Sequence, residues 1–372
     1  MARVRPVCLP LDARVGQLTE LADRAEQEAN PGEASTVFNQ AALIASDLGL
    51  PELARQWCHW HARLYLEHCP LTGMDGIRTL EPLVNLARLH IRAGSGRQGH
   101  QLLLRLQDAV TSGDAVTVDG LTVPANLTVT ATDRDEVRQW LWRVVLADGT
   151  RALTTDGHWQ TALEHLHRQH GIGSRMLDGR QVAVIAATTT GDRAQAWDLL
   201  ATTTPGEPWE NAVTACLTAH CRPPDLPPAP TRLDELITRC GQLEFSPATV
   251  VFHTRLMLSV ADVPAIRRTN LTDLTDLLRG LADRIIDTGD GYAAREMLTH
   301  NESRHELTGD HVSALASVVA ASRLDARSIP ADVEPRLRAA LTTAARTLAT
   351  AGRQPLAAIA SRNEAAASSG DG

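Results

Sequence analysis

The sequence predicts an all-α protein, an irregular α-solenoid in which antiparallel helix hairpins stack one beside the next. The first observation is a recurring motif: a glycine, a small residue five positions later, and an apolar pair at or near plus eight and plus nine. The second is that apolar residues recur at helical spacing through much of the chain. A glycine between two helices supplies a left-handed cap, and hairpins that cannot bury their apolar faces alone must stack.

The motif occurs five times, and the spacing between its copies varies. Gly157 and Gly191 are 34 residues apart, whereas Gly49 and Gly94 are 45 apart, so the array should be irregular. Four close copies, followed by a looser one, are Gly49…Ala54…Trp57-Cys58, Gly94…Gly99…Leu102-Leu103, Gly191…Ala196…Leu199-Leu200, Gly289…Ala294…Met297-Leu298 and Gly157…Ala162…His165-Leu166.

Proline, glycine and capping signals separate the predicted helices. We expect a helix over 11–30 that ends at Pro31-Gly32, a second over 35–48, and a third that starts at Pro51, a favoured first-turn residue. The next pair is predicted over 82–93 and 97–110. Farther along, Asn270 is the predicted N-cap of a helix with Asp273 at N3 and this apolar stripe: Leu274, Leu277, Leu278, Leu281 and Ile285.

Two stretches interrupt the helical pattern. Residues 116–132 are rich in Val and Thr around Asp119-Gly120, which favours a short hairpin or an extended excursion. The segment Pro223–Pro230 reads PPDLPPAP and cannot be a regular helix. We therefore predict N-terminal hairpins over 1–112, an extended or hairpin insertion over 113–135, central hairpins over 136–222, a proline-rich break over 223–230, C-terminal hairpins over 231–360 and a disordered tail over 361–372.

Composition excludes several classes of protein. The net charge of −8 argues against direct nucleic-acid binding, and no basic recognition helix is visible. All 36 basic residues are arginine, so a Schiff-base lysine and the lysine of a P-loop or kinase are ruled out. The six cysteines form no C-x-x-C pair, which is typical of reduced thiols in a cytosol. With no signal peptide and no membrane-length apolar run, we predict a cytoplasmic protein. The sequence carries no G-x-G-x-x-G motif after a strand and no paired-cysteine ribbon, so no cofactor is predicted.

Two clusters of cysteine and histidine are candidate metal or titratable sites. The first cluster contains side chains that can bind Zn²⁺, but their spacing matches no standard zinc finger. The alternative interpretation is a packed, partly polar helix. The cluster consists of Trp57-Cys58-His59-Trp60-His61, His68 and Cys69. The second group is predicted to consist of surface histidines: His158, His165, His167 and His170. Gly94-Ser95-Gly96 with Gly99 imitates a dinucleotide-binding loop but follows a helix, so it is interpreted as a turn between two helices.

The recurring motif resembles the tetratricopeptide repeat, a helix–turn–helix unit of 34 residues. In that family a glycine tends to occupy repeat position 15, and apolar or small residues occupy positions 4, 7 and 8 of the first helix. With each motif glycine at position 15, the Gly157 copy has Leu146 at position 4 but Gly149 one place early. The Gly191 copy is weak in its first helix but has Pro208 at position 32. Three copies fit positions 4, 7 and 8 well, with Phe38, Ala41 and Ala42; Leu83, Leu86 and Ala87; and Leu278, Leu281 and Ala282.

The resemblance implies a concave groove lined by positions 2, 5, 9, 12 and 13 of each first helix. Arg88 and Arg92 are one turn apart and would face the same way. Guanidinium groups suit the bidentate binding of carboxylate or phosphate, although simple solvation of the groove remains an alternative. The groove residues carried over from the family are Asn39, Arg88, Arg92, Arg151 and Arg279.

The function implied is that of a non-catalytic module that binds a protein or peptide in its groove, as a regulator or an assembly scaffold. Similar irregular arrays occur in actinobacterial regulatory proteins after a helix-turn-helix domain, which we expect this chain to lack. Two alternatives stay open: an enzyme or enzyme accessory in a specialised biosynthetic pathway, with a closed pocket of buried carboxylates or histidines, and a transcriptional regulator that acts through a partner. Reversing the charges of Arg88 and Arg92 should abolish binding and leave the helices intact. The oligomeric state is left open.

Overall fold

A computed structural model describes residues 6–222, 230–263, 266 and 271–368, and within them the protein is mostly helical, with one two-stranded hairpin. The predicted all-α class is therefore confirmed. The chain divides into two compact units. The first unit contains residues 12–157 and 325–368, and the second contains residues 6–11 and 158–324.

The first unit begins with paired helices and ends with a helix from the far end of the sequence. In chain order, α2 packs on α3, α3 on α4 and α4 on α5, while α18 returns to pack on α2 and α3. The elements are α1 (Leu11–Gln27), α2 (Pro31–Asp47), α3 (Pro51–Leu66), α4 (Gly73–Arg92), α5 (Gly96–Ser112), β1 (Val116–Val118), β2 (Leu121–Val123), α6 (Ala131–Val144), a π-helical turn (Val145–Gly149), α7 (Thr150–Thr155) and α18 (Glu334–Ser368).

The second unit is likewise built from consecutive helices. Its N-terminal segment is fixed by two hydrogen bonds, from the Cys8 amide to Asp290 Oδ2 (2.8 Å) and from the Gly291 amide to the Cys8 carbonyl (2.9 Å). The elements are α8 (Trp159–Arg168), α9 (Asp178–Thr189), α10 (Arg193–Ala201), α11 (Pro208–Cys221), α12 (Pro230–Gly241), a 3₁₀ turn (Pro247–Thr249), α13 (Val250–Ala261), α14 (Leu271–Thr288), α15 (Gly291–Thr299), α16 (Asn301–Glu306) and α17 (Gly309–Ser322).

Every motif glycine adopts the left-handed conformation that was predicted for it. The φ angles of Gly49, Gly94, Gly157, Gly191 and Gly289 are +74°, +72°, +73°, +81° and +69°. L-residues with a side chain rarely adopt this region, so each glycine allows the chain to leave one helix and enter the next.

The small residues of the motif lie where two helices approach closely. A Cβ atom added to Gly99 would lie 2.7 Å from the Ala87 carbonyl oxygen and 3.0 Å from Ile91 Cγ1. Ala87 and Gly99 are the small residues that the repeat places at positions 8 and 20, on α4 and α5. The close approach of these two helices is thus confirmed.

Two helix boundaries differ from the prediction. Helix α1 ends at Gln27, and Pro31 is the first residue of α2, where the Asn30 side chain caps the Gly32 and Glu33 amides at 3.0 and 3.2 Å. Helix α4 starts at Gly73 rather than at 82, because Thr72 provides an N-cap and the helix continues through Pro82. Pro82, at which the predicted helix begins, therefore lies inside α4.

The insertion predicted over 113–135 contains the expected hairpin. Strands β1 and β2 pair in antiparallel fashion, with Thr117 opposite Thr122. The turn residues Asp119 and Gly120 both have positive φ, 51° and 77°, as the tight turn of an Asp-Gly hairpin requires.

The π-helical turn explains the poor fit of the Gly157 repeat. Val145 is completely buried, whereas Leu146, predicted for the inward position 4, is only partly buried. A π-helical turn adds one residue to a helix and so rotates the preceding residues relative to the motif glycine. Leu146 is therefore corrected to Val145 as the inward residue.

Several predictions fall at the edges of the described residues. Most of the proline-rich break (223–229) and the predicted N-cap Asn270 lie outside them. The backbone of α18 is helical as far as Ser368, where a disordered tail from 361 was predicted, and residues 369–372 lie outside the described part. Across the described ranges, no helix combines the length and apolar composition of a membrane-spanning segment.

Candidate functional site

A connected row of polar side chains runs across α2, α4 and the π-helical turn of the first unit, and we call it the polar ladder. On α4 its members recur at intervals of three and four residues, so they share one face of the helix. The polar ladder consists of Asn39, Ser46 and Asp47 on α2, Glu81, Asn85, Arg88 and Arg92 on α4, and Asp148 in the π-helical turn.

Amide groups join α2 to the middle of α4. Asn39 Nδ2 donates to Glu81 Oε2 at 2.8 Å, and Asn85 Nδ2 donates to Asn39 Oδ1 at 2.9 Å. Burial raises the pKa of Glu81, although the hydrogen bond from Asn39 opposes this effect. The predicted groove residue Asn39 is thus engaged on both sides of its amide by side chains of α4.

Arg92 is held by a buried carboxylate at the end of α2. Arg92 NH1 donates to Asp47 Oδ1 at 2.8 Å and to Ser46 Oγ at 2.9 Å. The other oxygen of Asp47 accepts from Arg14 NH2 of α1 at 2.6 Å. Because the Asp47 side chain is only 2% exposed, the two guanidinium groups together compensate a carboxylate removed from water.

Arg88 makes the corresponding contact with the π-helical turn. Its Nε and NH2 donate to Asp148 Oδ2 at 3.1 and 2.8 Å, and its NH1 donates to Asn85 Oδ1 at 2.9 Å. The Asp148 side chain is 8% exposed, whereas that of Arg88 is 47% exposed. The guanidinium group is therefore held by two neighbouring side chains, while the Arg88 side chain as a whole remains about half exposed to solvent.

The structure brings together three of the five predicted groove residues: Asn39, Arg88 and Arg92. Arg151 is exposed on α7 of the same unit, three residues after Asp148. Arg279 lies on α14 in the second unit, where its Nε donates to the Glu306 carbonyl at 2.9 Å. A site in the first unit thus excludes Arg279.

Sequence reasoning missed the carboxylates of the polar ladder. With the motif glycines Gly49 and Gly94 at position 15, Asp47 and Glu81 correspond to positions 13 and 2, which the tetratricopeptide pattern places among the groove residues. Only arginine and asparagine were predicted to bind a ligand at those positions, so the two carboxylates were not among the predicted residues. Asp148 had no such signal, since the π-helical turn shifts the repeat numbering around it.

The carboxylates alter the expected effect of reversing the charges of Arg88 and Arg92. Each acidic replacement would be placed against a buried carboxylate, Asp148 or Asp47. Because an unpaired buried charge is strongly unfavourable, we now expect such a variant to lose stability as well as binding. A test of binding therefore needs neutral replacements on both sides of an ion pair.

The cysteine–histidine cluster of α3 is dispersed among separate contacts. His61 is buried, stacks on Phe38 with ring centroids 5.1 Å apart, and lies 3.2 Å from Ser35 Oγ through Nε2. His59 instead contacts Asp119 in the hairpin turn, and burial raises the pKa of Cys58 to about 12. Over the described ranges, no group of three or more His, Cys, Asp and Glu side chains is arranged to hold a metal ion.

His61 should make stability depend on pH. Burial lowers its pKa from 6.5 to about 3, so below pH 6.5 the unfolded chain takes up a proton that the folded chain excludes. The free energy of unfolding should therefore fall as the pH falls, by about 1 kcal/mol between about pH 6 and pH 5. Urea denaturation at each pH measures this, and the loss should be smaller in His61→Phe, in which a ring still faces Phe38. Equal pH slopes for the two proteins would contradict the assignment.

One member of the second histidine group is not on the surface. His165 is completely buried, whereas His167 and His170 are exposed and His158 is intermediate. The prediction for His165 was wrong because this residue occupies the apolar position of the Gly157 motif copy and takes part in packing.

Comparison with protein-family models, curated proteins and solved structures gave no match for this chain. The geometry of the described residues is therefore the basis on which a function is proposed.

Proposed function

We propose that the first unit is a non-catalytic, tetratricopeptide-like module that binds an extended protein segment along the polar ladder and serves as a regulator or an assembly scaffold. The observation that carries the proposal is the fixed but half-exposed guanidinium group of Arg88. In this proposal the hairpins of the unit stack as a short solenoid, and their first helices line the binding face.

Fixing a guanidinium group before a ligand arrives lowers the entropic cost of binding. Arg88 has five N–H groups, and its contacts with Asp148 and Asn85 use three of them within the described residues. One N–H on each terminal nitrogen remains to donate to a ligand. A peptide carboxylate matches this pair of donors, and less freedom is lost because the side chain is already ordered.

The polar ladder also restricts which ligands would bind. The positive charge of the nearby arginines is largely balanced by the carboxylates of Asp47, Glu81 and Asp148. The surface should therefore not bind polyanions indiscriminately. Specificity would come from the placement of single donors and acceptors rather than from net charge. We therefore expect a peptide with one suitably placed carboxylate to bind better than a uniformly acidic one.

The test is an array of synthetic extended peptides in which one Asp or Glu is moved along a neutral sequence. The variant Arg88→Gln/Asp148→Asn removes both charges and keeps side chains that can hydrogen-bond. We expect it to bind the selected peptides about tenfold more weakly than the wild type, because a charge-assisted hydrogen bond is lost. Affinities can be measured by fluorescence anisotropy of the labelled peptides.

The matched control is Arg138→Gln/Asp135→Asn. This ion pair lies on α6 of the same unit, and Arg138 is also 47% exposed, but neither residue belongs to the polar ladder. The control should bind the peptides like the wild type. The proposal fails if no peptide binds saturably, or if the polar-ladder variant and the control bind equally well.

A further inference from the structure

The second unit contains a cavity of about 180 Å³ between α12, α13 and α14. Its inner wall is largely apolar, with Cys240, Met257 and Leu281 each no more than 5% exposed. The residues that line it are Cys240, Gly241, His253, Met257, Asp276, Leu277, Gly280, Leu281 and Arg284.

His253 is a buried polar residue, and one of its ring nitrogens can form a hydrogen bond within this cavity. The residue is 5% exposed, and its ring contacts those of Phe245 and Phe252, with centroid distances of 5.4 and 5.5 Å. Nδ1 is 3.4 Å from Thr249 Oγ1, while Nε2 has no hydrogen-bond partner among the described residues. Within the same residues, no fully buried side-chain nitrogen or oxygen is left unpaired, so Nε2 must reach open space. The cavity is the open space that this side chain lines.

The imidazole is neutral and offers an acceptor. Burial lowers the pKa of His253, and nearby Arg284 lowers it further, against the effect of the Thr249 backbone. The contact with Thr249 favours the proton on Nδ1, which leaves the lone pair on Nε2. A ligand in the cavity would therefore meet a hydrogen-bond acceptor at this point of an otherwise apolar wall.

The rim of the cavity carries a positioned cation. Asp276, Gly280 and Arg284 follow one another at four-residue intervals along α14, and all three are exposed. The guanidinium carbon of Arg284 lies 5.5 Å from the centre of the Phe245 ring, a cation–π contact that orients it. A Cβ atom added to Gly280 would meet no atom within 4 Å, so this glycine leaves the rim open.

We propose that this cavity binds a small carboxylic acid with a single ring and a hydroxyl or N–H group opposite the carboxylate. The ring lies against Met257 and Leu281, the donor bonds to His253 Nε2, and the carboxylate pairs with Arg284 at the rim. The size agrees, since a cavity of about 150 Å³ accepts benzene. The site is independent of the polar ladder, because it lies in the other unit.

The experiment compares 4-hydroxybenzoate with benzoate, using chemical-shift perturbation and calorimetry on the full chain. The wild type should bind both saturably below about 10 mM and prefer 4-hydroxybenzoate by about fivefold. Replacing His253 by Phe preserves the ring but removes the acceptor, so the preference should disappear. Replacing Gly280 by Leu closes the rim, and binding of both acids should be lost.

Two further variants keep the test decisive. Arg284→Gln should lower the affinity for both acids about tenfold and leave the preference for 4-hydroxybenzoate over benzoate unchanged. Arg239→Gln, which breaks an exposed ion pair with Glu235 on α12, should bind like the wild type. The proposal is overturned if the wild type shows no saturable binding, or if folded Gly280→Leu or Arg284→Gln binds as well as Arg239→Gln.

Discussion

Replacing Asp47 by Ala should lower the free energy of unfolding of the first unit by about 3–5 kcal/mol, the usual cost of removing one partner from a buried ion pair. Asp47 is 2% exposed on its side chain and accepts from both Arg14 and Arg92. The Arg14 side chain is itself only 9% exposed, so its charge would remain buried without this partner. Chemical denaturation measures the loss, and hydrogen exchange should localise it to α2 and α4.

The control for Asp47→Ala is Asp12→Ala. Asp12 also pairs with an arginine on another helix, Arg336, but its side chain is 77% exposed. Exposed pairs contribute little, so this control should change stability by less than about 1 kcal/mol. If Asp47→Ala and Asp12→Ala lowered the free energy of unfolding equally, burial of the ion pair would not explain the loss. Arg14→Met combined with Asp47→Leu should recover much of the loss, because an apolar pair leaves no charge buried.

Replacing Gly99 by Val should cost about 3 kcal/mol. The new Cβ would lie 2.7 Å from the Ala87 carbonyl oxygen, a backbone atom that cannot move unless α4 and α5 separate. Overpacking of a close helix contact typically costs about 1–3 kcal/mol, and the two extra methyl groups place this variant at the upper end. Thermal and urea denaturation measure the change.

The matched control is Gly280→Val, in the interior of α14. A Cβ at Gly280 meets no atom within 4 Å, so the substitution changes helix propensity but causes no clash. We expect stability within about 0.5 kcal/mol of the wild type. If the two valine variants were equally stable, the close contact of α4 with α5 would not require a glycine at position 99.

Local features of the fold could be predicted because they depend on neighbouring residues. The left-handed turns follow from the glycines themselves, and the Asp119-Gly120 turn follows from the backbone freedom of that pair. The close approach of Ala87 and Gly99 could be predicted because both are small residues at fixed distances from the same turn glycine, Gly94.

Features that depend on distant residues could not be predicted in this way. The π-helical turn at 145–149 has no glycine or proline signal at its start, and it contains Asp148, which contacts Arg88. Likewise, periodicity shows that α18 has an apolar face but not that this face covers α2. At the candidate site, the positions of the arginines were predicted, but their engagement by buried carboxylates was not, because pairing depends on which helices become neighbours.

The return of α18 to α2 has a consequence for the order in which the protein can mature on the ribosome. Its apolar residues, among them Leu337, Leu341 and Leu348, are buried within the first unit. Translation completes this helix only after all of the second unit has been synthesised. The earliest hairpins to emerge must therefore remain partly uncovered until α18 has been synthesised, because the first unit is complete only with that helix.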